Sequence, residues 1–311
     1  DVFAGNNGVI VDALFGTGLT RPISGELLQA IRRINESQAV RVALDIPSGL
    51  DCNTGCELGA SVHAHHTVTF GYPKPGLLTP AGKDRSGELH LVQLGFPDES
   101  ILAQTGKTAS LFSEDDLRLV FARRMASNYK HRSGDILILA GSPGKTGAAR
   151  LAAHAALRAG AGLATICTWP EGLPALATEV TEIMLQPLSA ERVAADLSQA
   201  LAKRHAVLIG PGFGTNSAAL HALEYVLSNV QVPLVIDADA LTLLAQQPQF
   251  KGNIPSRTIL TPHSGELARL LGTSAAEIEA DRYAAVTEAA HRFGCTVDGC
   301  SPLLSKEQQY R

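Results

Sequence analysis

One pattern recurs along most of this chain and limits what it can fold into. A short apolar run stops at a glycine or polar turn, and a segment with helical periodicity follows. Val9 to Leu14 ends at Phe15-Gly16-Thr17-Gly18, Val40 to Ile46 at Pro47-Ser48-Gly49, and Thr67 to Tyr72 at Pro73-Lys74-Pro75-Gly76. Leu89 to Leu94 reads as a further strand. Later strands are predicted over 136–140, 163–168, 206–210, 233–237 and 257–260. Helices are predicted over 25–36, 114–124, 148–159, 190–203, 216–228, 239–246, 265–271 and 275–293. Helix 25–36 places Leu27, Leu28, Ile31 and Ile34 on one face. Regular strand–helix alternation gives an α/β chain with parallel, helix-covered sheets. The periodicity weakens between about Ser100 and Ser113, which divides the chain into domains over 1–105 and 106–311.

Composition agrees. Hydrophobic residues make up 45% and aromatics only 5%, which suits closely packed α/β layers over an aromatic-rich sandwich. The net charge of −4 carries no basic footprint for nucleic acid. No run of 18 apolar residues marks a membrane span, and no secretory signal opens the chain. Five scattered cysteines, at 52, 56, 167, 295 and 300, fit a reducing compartment, so the expected location is the cytoplasm. Cys52 and Cys56 with His63, His65 and His66 match no standard zinc spacing and read as a loop and the polar start of a strand.

In open parallel sheets ligands bind at the carboxyl ends of strands. Seven such ends carry glycine or polar residues here: Asp12 with Gly16 to Gly18, Asp45 with Ser48, Lys74, Gly141 to Gly147, Gly210 to Gly214, Asp237 with Asp239, and Thr261 to Glu266. Backbone N–H groups in glycine turns approach phosphates closely, so the series points to nucleotide-like ligands without naming a reaction. Gly144-Lys145-Thr146 looks like the end of a Walker A loop, but positions 139 and 140, where its first glycine would fall, are Leu and Ala. Asp239, Thr261 and Ser264 each also read as helix caps, and His263 as a hydrogen-bonded turn histidine.

The order of these motifs carries a resemblance. Val11-Asp-Ala-Leu-Phe-Gly-Thr-Gly18, Asp45-Ile-Pro-Ser-Gly-Leu-Asp51 and Thr69-Phe-Gly-Tyr-Pro-Lys-Pro-Gly76 resemble the second half of NAD(P)H-hydrate epimerases. From about 110 onward, Gly141-Ser142, Thr146-Gly147-Ala148, Ala159-Gly-Ala-Gly-Leu163, Gly210-Pro-Gly-Phe-Gly214, Asp237-Ala-Asp-Ala-Leu241 and Leu260-Thr-Pro-His263 resemble ADP-dependent NAD(P)H-hydrate dehydratases. The resemblance implies a partial Rossmann-like epimerase domain followed by a ribokinase-like domain lacking its C-terminal part. It also implies both activities: interconversion of R and S hydrates, and ADP-dependent dehydration of the S form. NAD(P)H hydrates and ADP are then the small-molecule partners, with Mg2+ and K+ as ions. A homo-oligomer is compatible with the sequence.

Residue by residue, the resemblance implies that Asp12 and Ser48 are potassium ligands. Gly16, Thr17, Gly18, Leu19, Thr20, Arg21 and Pro22 form the loop holding the hydrated dinucleotide. Asp45 is the substrate-contacting carboxylate and a general acid or base, and Lys74, in the Pro-Lys-Pro turn, has a supporting role. Ala148, Gly212 and His263 are substrate contacts of the dehydratase. Two departures stand out. Asn6-Asn7-Gly8 lies too close to Asp12 to be the epimerases' early Asn-Gly-Gly-Asp-Gly loop, so the first half of that domain is expected to be missing. The Lys-Gly loop and the Gly-Ser-Gly-Asp turn that carries the dehydratases' catalytic Asp are also absent from the sequence. Dehydration is therefore expected to be absent, and an uncovered sheet edge to favour aggregation. A ribokinase-like vitamin or sugar kinase and a non-catalytic dinucleotide-binding module are the alternatives; the epimerase-like half argues against the kinase.

Overall fold

The computed structural model describes residues 8–95, 114–120, 134–178 and 182–299. It divides into two compact units, the first within residues 1–122 and the second over 123–300. The domain boundary expected near residue 105 lies outside the described residues, as do Asn6, Asn7 and the tail beyond Gly299.

The first unit runs β1 (Val9–Asp12), α1 (Gly25–Glu36), β2 (Val40–Leu44), β3 (His66–Phe70), α2 (Pro75–Leu78), α3 (Pro80–Ser86), β4 (Glu88–Val92) and α4 (Glu114–Val120). Its four strands are all parallel in the order β1-β2-β3-β4. Helix α1 buries Ile31 and Ile34 against Ile23 and Val62. Of the stripe predicted for it, Leu28 is partly buried, while Leu27 in the first turn stays exposed. Helix α2 begins inside the turn read at Pro73 to Gly76, and α3 falls where the sequence predicts no element. Each starts on a proline, whose missing N–H costs nothing at a helix's first position. Thr79 then caps α3 by accepting from Gly82 N at 3.1 Å.

The second unit runs β5 (Asp135–Leu139), α5 (Thr146–Ala159), β6 (Leu163–Thr168), α6 (Leu173–Ala177), β7 (Met184–Pro187), α7 (Val193–Leu201), β8 (Ala206–Ile209), α8 (Ser217–Asn229), β9 (Leu234–Ile236), α9 (Ala238–Gln246), β10 (Thr258–Leu260), α10 (Ser264–Leu271), α11 (Ala275–Ala280), α12 (Arg282–Phe293) and β11 (Thr296–Val297). Seven parallel strands form one sheet in the order β11-β10-β9-β8-β5-β6-β7. Strand β5 is apolar on both sides because both sides are covered. Ile138 packs with Ala149 and Ala153 of α5, whose small side chains let the helix lie close. Leu137 and Leu139 join the opposite core with Leu223, Leu234, Ile236 and Leu260. Each such fully buried leucine contributes about 1.5–3 kcal/mol.

Two sequence expectations need correction here. The predicted helix 275–293 is two helices, broken at Asp281, where the backbone turns to φ −153° and the carboxylate caps α12. Strand β7 was not expected at all. It is a four-residue edge strand ending in Pro187, a place where a residue without an N–H is tolerated.

Candidate active site

Each unit brings its predicted polar residues to the carboxyl ends of its strands. In the first unit, β1 delivers Asp12 and the loop after β2 delivers Ser48, and both side chains are fully buried. Ser48 Oγ and Asp12 Oδ1 are 2.6 Å apart, and Ser48 N donates to Asp12 Oδ2 at 2.8 Å. Ser48 Oγ also accepts from Phe15 N at 2.8 Å and lies 3.2 Å from Phe15 O. A carboxylate, a hydroxyl and a carbonyl therefore converge where the chain leaves β1.

Asp45 follows β2 in the left-handed region, at φ +70°. Its Oδ1 accepts from Thr69 Oγ1 at 3.3 Å and from Phe70 N at 3.2 Å, and it is ion-paired with Lys74 Nζ. Lys74 also donates to Thr69 Oγ1 at 3.0 Å and to Phe70 O at 3.1 Å. The ends of β2 and β3 thus fix one carboxylate and one ammonium against each other, both mostly shielded from water. The loop from Gly16 to Pro22 is largely open, with only Leu19 half-buried. Cys52 reaches it by donating to Thr17 O at 3.4 Å. Burial, then the Asp51 carboxylate, pushes the Cys52 thiol above its usual range, so it stands there as a neutral thiol and not a nucleophile.

In the second unit the strand order reverses between β5 and β8: the chain winds from β5 outward to β7, then returns to β8 on the other side of β5. Such a switch point opens a crevice at the carboxyl ends. The two loops that border it are stitched together, Gly141 N donating to Pro211 O at 3.1 Å and Ser142 N to Gly212 O at 2.6 Å. Gly212, at φ +58°, admits no side chain: a Cβ would lie 2.7 Å from Lys145 Cβ and 3.5 Å from Ala148 Cβ. Ala148 and Gly212 are therefore neighbours. A cavity of about 560 Å³ lies beside them, lined by Ser142, Trp169, Glu171, Ser189, Phe213 and Asn216 among others. The sequence reading missed Trp169, whose ring stacks on Phe213 with 4.9 Å between centroids and whose Nε1 donates to Phe213 O at 2.7 Å.

The capping roles fall differently from the sequence reading. Asp239 holds loops together instead: its Oδ2 accepts from Gly214 N at 2.8 Å and from Lys145 Nζ at 3.0 Å. Thr261 Oγ1 donates to Asp237 Oδ1 at 2.9 Å, and Ser264 Oγ bonds Glu279. His263 is itself the cap of α10. Its Nδ1 accepts from Gly265 N at 3.0 Å and Glu266 N at 3.3 Å, while Glu266 accepts from His263 N. This is a capping box built with imidazole, and it leaves the ring exposed with Nε2 directed at Glu266 Oε1, 3.4 Å away. The structure thus brings Ala148 and Gly212 together and commits His263 to its own helix.

The comparisons with known proteins fit this geometry. Residues 136–300, more than half of the chain, match the family model described as NAD(P)H-hydrate dehydratase. The chain belongs to this family. Residues 2–76 match the model described as YjeF-related protein N-terminus. A bifunctional NAD(P)H-hydrate repair enzyme of Escherichia coli strain K12 is 40% identical over 286 residues, covering 92% of this chain and 53% of the relative. The corresponding enzyme of Moorella thermoacetica is also 40% identical, covering 88% and 53%. The dehydratase-family chain described here thus spans a little over half the length of these relatives. Among solved structures, the ADP/ATP-dependent NAD(P)H-hydrate dehydratase of Bacillus subtilis, co-crystallised with ATP and Mg2+, superposes with a TM-score of 0.51 at 26% identity, covering 62% of this chain and 67% of that one. A ribokinase-like superfamily protein from Enterococcus faecalis V583 gives 0.54 at 28% identity, covering 61% and 65%. The second unit therefore has the expected ribokinase-like α/β fold. No helix among the described residues is long and apolar enough to cross a membrane.

Proposed function

We propose that this chain works in the repair of hydrated NAD(P)H. Its first unit interconverts the R and S hydrates, and its second presents the dinucleotide-facing side of an ADP-dependent dehydratase. The observation that carries the reading is the ion pair of Asp45 and Lys74 at the ends of β2 and β3, bordered by the open Gly16–Pro22 loop. The hydroxyl-bearing ring carbon is also bonded to the ring nitrogen. When its hydroxyl proton is taken, that carbon–nitrogen bond opens to an aldehyde, and re-addition of the nitrogen to the other face returns the proton with the carbon inverted. A held carboxylate is the natural group to take and return that proton. Lys74 and Thr69 orient Asp45 for that work. In the loop Gly16, Thr17, Gly18, Leu19, Thr20, Arg21 and Pro22, the residues other than Leu19 and Pro22 offer backbone N–H groups for the pyrophosphate, and Arg21 offers one cation.

Asp12, Ser48 and the Phe15 carbonyl fit a potassium ion. All are hard oxygen donors, and together they carry a single negative charge. Potassium bound there would supply a fixed positive charge near the substrate loop. The second unit fits magnesium less well, because Asp237 and Asp239 are engaged by Thr261, Lys145 and Gly214. In that unit Ala148, Gly212 and the exposed His263 ring face the hydrated nicotinamide. The Gly-Ser-Gly-Asp turn is not in the sequence. Asp45 with its partners supports epimerisation, and the crevice between β5 and β8 supports dinucleotide binding.

The test starts from NADPH hydrate enriched in one epimer and follows the approach to the R/S equilibrium by chromatography. Asp45→Asn is the variant of choice, since Asn also tolerates positive φ. Its rate should fall by about 100-fold or more. Wild-type turnover in Asp45→Asn, or no epimerisation by the unaltered chain, overturns the reading.

A further inference from the structure

Away from the carboxyl ends, one set of metal-ligating side chains meets on the first sheet. His66 opens β3, Glu88 opens β4, and His90 follows two residues later. In the parallel register His66 lies beside Glu88 and Val68 beside His90. Residues two apart share a face of a strand, so all three side chains rise from one face at the amino ends. Asp45 and Lys74 belong to the other end of these strands, about 13 Å away at the usual rise per residue.

His66 Nδ1 is 3.2 Å from His90 Nε2 and 3.5 Å from one Glu88 carboxylate oxygen, while His90 Nε2 is 3.9 Å from the other. Ligand atoms about 2.0–2.1 Å from a tetrahedral zinc ion lie roughly 3.3–3.4 Å apart. The two ring nitrogens are already at that spacing, and Glu88 turns one carboxylate oxygen to each of them, so the three side chains approximate one face of such a tetrahedron and their partial exposure leaves the fourth corner to water. A single shared proton can bridge two imidazole nitrogens at this distance, and a metal ion takes the proton's place with the carboxylate as an added ligand. The neighbouring histidines are engaged elsewhere. His65 Nδ1 accepts from Arg41 N at 2.9 Å, and His63 lies by Glu57. The sequence could not show this cluster because two of its members sit on the next strand, more than 20 residues from the Cys52–His66 stretch.

We propose that His66, Glu88 and His90 bind a divalent first-row transition ion of the zinc class. Two imidazoles and one carboxylate suit zinc, cobalt or nickel over magnesium or calcium. The bound ion clamps β4 to β3 and stabilises the first unit by mass action.

The test uses the full chain, stripped with a chelator and titrated with Zn2+ by calorimetry and with Co2+ by visible absorption. One equivalent should bind, with a cobalt d–d band of low-coordinate intensity, and saturating Zn2+ should raise Tm. His66→Gln with His90→Gln should weaken binding by at least about 10-fold, since loss of a group that merely orients a ligand costs that much. The same pair should abolish the Tm rise. His63→Gln with His65→Gln should bind like the unaltered chain. His90→Gln alone, on an exposed position of β4, serves if the double variant fails to fold. No saturable binding, undiminished binding in the His66/His90 variants, or loss of binding in the His63/His65 variant overturns the proposal.

Discussion

Asp45 and Cys167 show how far single residues can be read from sequence. The Asp-Ile-Pro-Ser-Gly run marks Asp45 as a polar strand end, but not its φ of +70° nor its pairing with Lys74, 29 residues on. Cys167 reads only as an apolar residue of a strand. Its burial pushes the thiol up to about 12 from 9.0. In the unfolded chain the thiol ionises near 9.0, so ionisation there favours unfolding. The stability this group contributes is complete below pH 9.0 and is lost as pH rises through about 12. Cys167→Ala should therefore flatten the fall in urea midpoint between pH 9 and 12. At neutral pH it should cost about 1 kcal/mol for the lost packing. An unchanged alkaline slope would remove the thiol as its cause. Cys295, pushed up to about 11 by burial, adds a smaller component in the same window and remains in both proteins.

At the scale of elements, the strands were legible because each apolar run is short and closed by a turn residue, and both faces of β5 are buried as its unbroken apolar run implies. What stayed hidden depended on single hydrogen bonds. Apolar periodicity runs on across 275–293, yet Asp281 stops one helix and starts another by accepting from Ala284 N at 2.9 Å. Ser274 and Glu277 form the capping box of the helix before it. Strand β7 exists because β6 offers it an edge, not because Met184–Pro187 favours extended backbone by itself. The imidazole cap of α10 was anticipated as a turn histidine, whereas the loop bonds of Asp239 were not, because Lys145 is 94 residues away. Asp281→Ala should cost about 1 kcal/mol, the usual loss on removing an N-cap acceptor. In a chain of this size that lowers Tm by roughly 2–4 °C. Asp281→Asn, which keeps the acceptor, should lose only a fraction of that. Equal losses in both variants would place the effect in charge and not in the cap.

For the molecule as a whole, strand order is the quantity that sequence leaves open, since each pairing joins segments far apart in the chain. The order β1-β2-β3-β4 decides which side chains share a face. Val9 pairs with Val40, Leu44 with Val68, and Phe70 with Val92, so these residues line one side of the first sheet. Much of that side is open to water: Val9 is 66% and Val11 56% exposed. A parallel sheet is normally covered on both faces, and an apolar surface of this kind favours association. A net charge of only −4 gives weak repulsion against it. Each valine fully withdrawn from water is worth about 1.5 kcal/mol, so a few meeting across an interface overcome the entropy of pairing at high concentration. Sedimentation velocity should therefore show the weight-average mass rising with concentration. Val9→Thr, Val11→Thr and Val40→Thr together should shift the distribution toward monomer. Threonine keeps the β-branched shape that strands favour, so the far-UV spectrum should not change. A wild-type chain that stays monomeric at high concentration would mean that this valine face drives no association.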